Sequence, residues 1–446
     1  MNDLERQAMS ATTTNIGSSR RTGTPRVLTV LPDFPFPATT GLHLRMVSNL
    51  KLVRRLGCFS ALLYFSTEER TPPPLECSPI GEFCDQVSHA GLRFPHDDFS
   101  TISLIGHKVD FLVRGALNLP GGSYPFSMSY DRIGAQQIIL AAAQEYQADV
   151  VSLPSMFMHY ARALRARGLG VIIDAADVLT NLSKSFLENL DGRGGKLGLW
   201  ANYLACRAQE RIFLKYCSEV WATSAAEAAV FQRIAPGVRV VVVPNSLDEV
   251  EIIPAKSALD PVIGFIGTYS YAPNLQAAQF LAERVLPHVL ADYPDAQLRL
   301  AGANMPEDVA AGLRGLRSIT VLGSVADSGR FMEDCAVLAL PVFIRGGVPL
   351  KLIEAMARGK AVVATPELVE GLALIDGKDV VIRSSPEAFA RAIVQLLRDA
   401  PLRQSLGTTA RATFVRDFSI ASAEATLRRE SVLARQSDSL GLYEPH

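Results

Sequence analysis

GGVPLKLIEAMARGKAVVAT, Gly346 to Thr365, reads as loop, helix and strand in twenty residues. Gly346-Gly347 gives an unhindered loop, and Pro349 suits a first helical turn, where its missing N–H would have had no intrahelical partner. Leu350 to Arg358 is then a short helix, stopped by Gly359 where a left-handed residue is wanted. Ala361 to Ala364 follows as a buried strand. Lys351 and Glu354 are three residues apart and share a helix face near its N-terminus. An exposed N–H end beside a lysine favours an anion, most often a phosphate. A carboxylate slightly deeper can accept hydrogen bonds from a pair of hydroxyls such as those of a ribose. Spacing alone leaves a second reading open, an ordinary surface Lys–Glu pair.

Outward from this stretch, the same alternation recurs along all 446 residues. That length suits two domains better than one core. Arg26–Leu31 is a continuous apolar run, as expected of a strand covered on both faces. A loop with Pro35 and Gly41 follows it, then a helix with Met46, Leu50 and Val53 at helical spacing, then a strand at Ala61–Phe65. Further strands are expected at Asp149–Ser152, Val171–Ile173, Glu219–Ala222 and Val240–Val243. Ser224 and Glu227 form a capping box at the head of the next helix. The pattern restarts with strands at Val262–Ile266, Gln297–Ala301, Ile319–Leu322, Val337–Leu340, Ala361–Ala364 and Val380–Ile382.

The expected architecture is therefore α/β, two doubly wound, Rossmann-like domains facing a central cleft. Residues 1–24 read as a disordered leader, 25–246 as the first domain, 247–260 as a linker and 261–419 as the second domain. Residues 420–446 read as a helix, free to return to the first domain, and a tail.

A net charge of −1 gives no electrostatic case for nucleic acid. The six cysteines are scattered without a CxxC pair and read as small buried hydrophobes, not as a zinc site or disulfide frame. No apolar run is long enough to span a membrane and no secretion signal is evident, so a cytoplasmic protein is expected. The apolar residues between Phe99 and Leu119, with Lys108 and Arg114, read either as an interfacial segment at the inner membrane face or as a buried helix.

Ligands in doubly wound sheets bind beyond the carboxyl ends of the strands. In the first half, the loop after Leu31 contains Gly41 and ends at a helix carrying His43 and Arg45. Asp174 sits at a strand end with Asp177 three residues on, able to accept a proton, bind a hydroxyl or cap the next segment. Ser155 and His159 follow another strand. In the second half, Gly267 and Thr268, Gly302, and Gly346-Gly347 bring backbone N–H groups toward one place beside Arg345 and Lys351. Together they are read as an anion pocket.

The run from Gly346 to Thr365 resembles the K-x-x-E-A-M-A-x-G-x-P-V-V-x-T signature of GT-B glycosyltransferases of family 4. Gly264 to Asn274 (GFIGTYSYAPN) is similar to that family's G-x-x-x-x-x-P-N opening of the nucleotide-binding domain, and Val243 to Asp248 (VPNSLD) to its V-P-N-G-V-D segment. Pro35…Gly41-Leu-His-Leu-Arg45 resembles the loop of the subgroup active on polysaccharide and glycoconjugate precursors. The chain departs from the pattern in three places. Gly346 stands where many members carry a second glutamate, Thr268 to Tyr271 offers no cation, and Ser152-Leu-Pro-Ser155 replaces an acceptor-side histidine.

The resemblance implies a retaining transfer of a sugar from a nucleotide diphosphate donor to an acceptor hydroxyl, with no metal and no further cofactor. Glu354 would bind the ribose. Lys351 and Arg345 would neutralise the diphosphate with Gly267, Thr268, Gly346, Gly347, Val348, Pro349 and Leu350 around it, and Asn245 beside the donor. Arg45 and Asp174 would join Lys351 in catalysis, with Gly41, His43 and Ser155 toward the acceptor. That acceptor is a glycan, a lipid-linked or a small molecule. A nucleotide-sugar 2-epimerase of the same fold and a non-catalytic sugar-nucleotide-binding subunit are the alternatives.

Overall fold

In the computed structural model the described residues are 14–15, 24–36, 38, 40–67, 79–92, 130, 134–188, 196–251, 260–343 and 349–434. The chain divides into two compact units, one of Met1–Val243 with Glu424–His446 and one of Pro244–Ala423.

The first unit holds an eight-stranded sheet in the order β1-β4-β3-β2-β5-β6-β7-β8. Its strands are β1 (Thr14–Asn15), β2 (Arg26–Leu31), β3 (Phe59–Thr67), β4 (Gln86–Leu92), β5 (Val150–Pro154), β6 (Gly170–Ala175), β7 (Glu219–Ala222) and β8 (Arg239–Val242). All pairs are parallel except β1 with β4. The continuous apolar runs are buried on both faces; Leu28, Val151, Ile172 and Val220 are fully enclosed. Strand β4, QVSHAGL, is an addition to the expected set. Its polar residues and Gly91 break the apolar run that marks the others. Thr14–Asn15 pairs with Val87 and Gln86, which corrects the disordered leader at those two residues. An edge strand offers unpaired backbone groups to whatever chain lies nearby, whatever its side chains.

The second unit holds a six-stranded, wholly parallel sheet in the order β11-β10-β9-β12-β13-β14. Its strands are β9 (Val262–Ile266), β10 (Gln297–Ala301), β11 (Ile319–Gly323), β12 (Val337–Leu340), β13 (Val362–Ala364) and β14 (Val381–Ile382). The chain runs outward one way from β9 to β11 and then the other way from β12 to β14. The reversal falls between β9 and β12, and open α/β sheets bind ligands at such a switch point. In the first unit the corresponding reversal lies between β2 and β5.

Helix ends follow local chemistry. Thr40 caps Gly41–Arg55 by accepting from the His43 N–H, and Ser385 caps Pro386–Arg398 through the Ala388 N–H. Ser224 accepts from the Glu227 N–H, but the reciprocal half of the capping box is not made. The Glu227 carboxylate instead takes the Thr223 hydroxyl and the Val178 N–H at 3.3 Å. The helix after β9 passes through a π segment, Phe280–Val285, just before Pro287, whose ring nitrogen cannot continue the ladder.

The five described cysteines are buried thiols. Burial pushes Cys58, Cys84 and Cys335 up to about 12, so they are inert. Cys77, the Phe99–Leu119 segment and residues 252–259 of the expected linker lie outside the described residues. Among the described residues no helix is long and apolar enough to cross a membrane.

Candidate functional site

The helix at the switch point is Leu350–Ala357. Arg358 is its C-cap and Gly359 follows at φ 61°. The Lys360 N–H returns to Ala355 O at 3.0 Å and the Gly359 N–H to Met356 O at 3.0 Å. This is a Schellman closure, and it needs a residue free to adopt positive φ. At the other end Pro349 O accepts from Leu352 and Ile353, and the Leu350 and Lys351 N–H groups make no hydrogen bond to described residues.

Lys351 leaves this first turn toward the loop after β9. Its Nζ donates to Asn274 Oδ1 at 2.6 Å and lies 4.6 Å from the centre of the Phe265 ring. Asn274 is 8% exposed and is itself held by donating from Nδ2 to Thr268 O at 2.9 Å. Among the described residues no carboxylate neutralises Lys351, and desolvation pulls its pKa down from 10.5 to about 7. The site is thus a desolvated amine, half-protonated near neutrality, beside two helix N–H groups that make no hydrogen bond to described residues.

Glu354 turns a different way. Its Oε1 accepts from Ser328 Oγ at 2.7 Å and lies 3.5 Å from Arg358 Nη2. Arg358 in turn donates to Glu333 at 3.0 Å. Glu354 Oε2 has no hydrogen bond to described residues and remains able to accept from a hydroxyl pair. Lys351 and Glu354 therefore share a helix but are held from the heads of two separate helices, Ala272–Gln279 after β9 and Ser328–Glu333 after β11.

The glycines need a correction. The Gly267 N–H donates to Ala301 O at 3.1 Å and the Gly302 N–H to Gly323 O at 2.7 Å. Both amides serve the sheet edge, so neither can meet a phosphate as expected. What Gly267 supplies is room: a Cβ there would stand 2.7 Å from Asn274 Cγ. The Thr268 N–H makes no hydrogen bond to described residues and is able to meet an anion. Arg345, Gly346, Gly347 and Val348 lie outside the described residues.

In the first unit, Arg45 is 2% exposed and is held by Asp174. Nε and Nη2 reach Asp174 Oδ1 at 2.9 and 2.5 Å, and Nη1 reaches Val243 O at 3.2 Å. Asn49 Nδ2 donates to Asp174 Oδ2 at 2.7 Å. Arg45 and Asp174 thus neutralise each other, and the expected catalytic pair is one ion pair, its guanidinium buried and its carboxylate part-exposed. The Ser155 hydroxyl reaches Asp174 O at 3.5 Å, and His43 Nε2 lies 3.9 Å from Asp33 Oδ2. Gly41 opens the helix that carries Arg45. Burial and the Glu227 charge push Asp177 up to about 7, while Arg45 acts against them. Burial likewise brings Glu210 to about 7. Among the described residues no cluster of His, Cys, Asp and Glu is arranged to hold a metal ion.

Asn274, Ser328, Arg358 and Asn49 are the residues that sequence reasoning did not assign. Only Asn274 carried a signal, the final position of the G-x-x-x-x-x-P-N segment. Asn245 is buried at the start of the second unit, where the Leu247 N–H joins Phe418 O at 3.1 Å.

Residues 260–399 match the family model described as glycosyl transferases group 1. The second unit carries a glycosyltransferase domain. The whole chain is similar to solved structures over nearly their full length. Sucrose-phosphate synthase from Thermosynechococcus elongatus superposes with a TM-score of 0.65 at 15% identity, covering 91% of this chain and 98% of that one. TarM gives 0.66 at 11% identity, with 92% and 99% covered. HepE of Anabaena, solved in complex with UDP, gives 0.61 at 14% identity, with 91% and 98% covered. At these identities the likeness establishes the fold, GT-B. No curated protein matches the sequence.

Proposed function

We propose that the chain is a retaining glycosyltransferase of family 4 that moves a sugar from a nucleoside diphosphate sugar to an acceptor hydroxyl. The observation that carries this is the placement of Lys351. It is a part-buried lysine with no carboxylate partner among the described residues, at a helix N-terminus beside the β9–β12 switch point, three residues before a carboxylate whose second oxygen makes no hydrogen bond to described residues. Lys351 Nζ, the Thr268 N–H and the N–H groups of Leu350 and Lys351 take the diphosphate. Glu354 Oε2 takes the ribose hydroxyls. The resemblance adds Arg345 to the diphosphate side.

As the bond from the anomeric carbon to the diphosphate breaks, negative charge grows on the departing oxygen. Fixed N–H dipoles and an ammonium already aimed there stabilise it without reorganising, and no metal is required. The acceptor oxygen forms the new bond on the same face of the sugar, and its proton leaves with the diphosphate. Arg45, Asp174, Ser155 and His43 belong to the acceptor side, where the ion pair keeps the helix Gly41–Arg55 and the end of β6 in fixed relation. UDP is the first nucleotide to test, since HepE and TarM were solved with it.

The test is a thermal-shift and calorimetric screen of UDP, GDP, ADP and dTDP against the parent, Lys351→Ala and Glu354→Ala. One nucleotide should raise the melting temperature of the parent. Each variant should bind it more weakly by about 10- to 100-fold, the size of a lost hydrogen bond to a charged group. A parent that binds none of the four, or variants that bind as tightly, overturn the proposal.

A further inference from the structure

Asn274 is buried where one expects an apolar side chain, at the head of the helix Ala272–Gln279 and beneath the loop after β9. Both ends of its amide are engaged. Nδ2 donates to Thr268 O at 2.9 Å, which fixes the ring of atoms between the turn and the helix, and Oδ1 accepts Lys351 Nζ at 2.6 Å. The amide cannot rotate by half a turn without setting NH2 against Nζ and a carbonyl against a carbonyl. Its orientation is therefore determined by its partners. The backbone leaves room for it, because position 267 carries no Cβ and one there would press on Asn274 Cγ at 2.7 Å.

We propose that Asn274 is the positioning residue of the diphosphate site, holding Lys351 Nζ between the Thr268 turn and the first turn of Leu350–Ala357. This inference rests on the donor-site reading above and adds to it what aims the lysine. A lysine has four rotatable side-chain bonds and much rotamer freedom to lose. Two contacts remove that freedom before any ligand arrives: the Asn274 acceptor and the Phe265 ring, 4.6 Å from Nζ. Asn274 is neutral, so it directs the amine without competing with a phosphate for its charge. An aspartate there would hold the lysine as well but would occupy the cation. Desolvation of the amine also keeps it easily deprotonated in the free protein, so binding of an anion takes up a proton.

The experiment is a double-mutant cycle on the full chain, with the tightest binder among UDP, GDP, ADP and dTDP measured by calorimetry at about pH 7. Asn274→Ala should weaken binding about 10-fold in the parent and less than about 2-fold in Lys351→Ala, because its effect passes through the lysine. Equal losses in both backgrounds overturn the inference while leaving the donor site standing. A Lys351→Ala variant that binds as tightly as the parent, or a parent that binds none of the four, overturns the donor site and this inference together. Should Asn274→Ala not fold, as read by its melting curve, Asn274→Asp preserves the side-chain volume. Its carboxylate should hold Lys351 protonated, giving weaker binding whose affinity no longer falls between about pH 7 and 8.5. An Asn274→Asp variant that keeps the pH slope of the parent overturns the inference.

Discussion

The protonation of Lys351 makes the donor site testable by pH alone. With the free amine at about 7, half the molecules carry the charge at pH 7 and about one in thirty at pH 8.5. A diphosphate beside Nζ restores an ordinary lysine, protonated across this range. Binding must then take up a proton: about half of one at pH 7 and nearly a whole one at pH 8.5. The apparent affinity should fall about 16-fold over that interval, equivalent to about 1.6 kcal/mol. The assay is calorimetry of nucleoside diphosphate binding in buffers of different ionisation enthalpy, which counts protons directly. Above about pH 7 the phosphates are largely ionised themselves and add little to the count. Lys351→Arg is the control, since a guanidinium stays charged throughout and should give a flat profile. A parent that binds with no proton uptake and constant affinity would refute the placement of the phosphate beside this amine.

In the absence of ligand, the stability of the parent should rise from about pH 7 toward pH 10, because the unfolded lysine holds a proton the folded one has lost, and Lys351→Met should abolish that rise in urea titrations. Glu210 has the opposite sign: burial raises its carboxyl to about 7, so stability falls as pH rises from about 4.5 through 7. Glu210→Gln should raise the melting temperature at pH 8, by on the order of 2 kcal/mol in stability, and do little at pH 4. Arg45→Met removes the cation that pairs Asp174 and offsets the charges of Asp177 and Glu227, and should cost about 3–5 kcal/mol in denaturant unfolding. Gly264→Ala pushes a Cβ into Cys335 Sγ and to 2.9 Å from Leu338 Cδ2, for a loss of about 1–3 kcal/mol, whereas Gly237→Ala, with nothing within 4 Å, should be near neutral.

Much of the fold was legible because a strand buried on both faces has to be apolar throughout. VIGFI, VLAL and RVLTVL announce themselves, and the corresponding strands β9, β12 and β2 span the expected residues. Strand β4 did not, since its polar residues hide the run, and the helix Ala400–Asp417, with Gly407 and paired threonines inside it, has little local signature. The head and stop of Leu350–Ala357 could be read from Pro349 and Gly359 because both act through their own backbone torsions.

By itself, then, the sequence determined what depends on near neighbours: strand against helix, where a helix begins and ends, and which residues carry charge in the stretch that closes the switch point. It could not say that Arg45 would meet Asp174, 129 residues away, or that Lys351 would be aimed by Asn274, 77 residues before it. It also placed the Gly267 and Gly302 amides at an anion when the sheet edge takes both. These were decided by the packing of one element on another. Only the folded chain fixes how deep an amine is buried, which acceptor stands within 3 Å of it, and therefore whether it carries its proton.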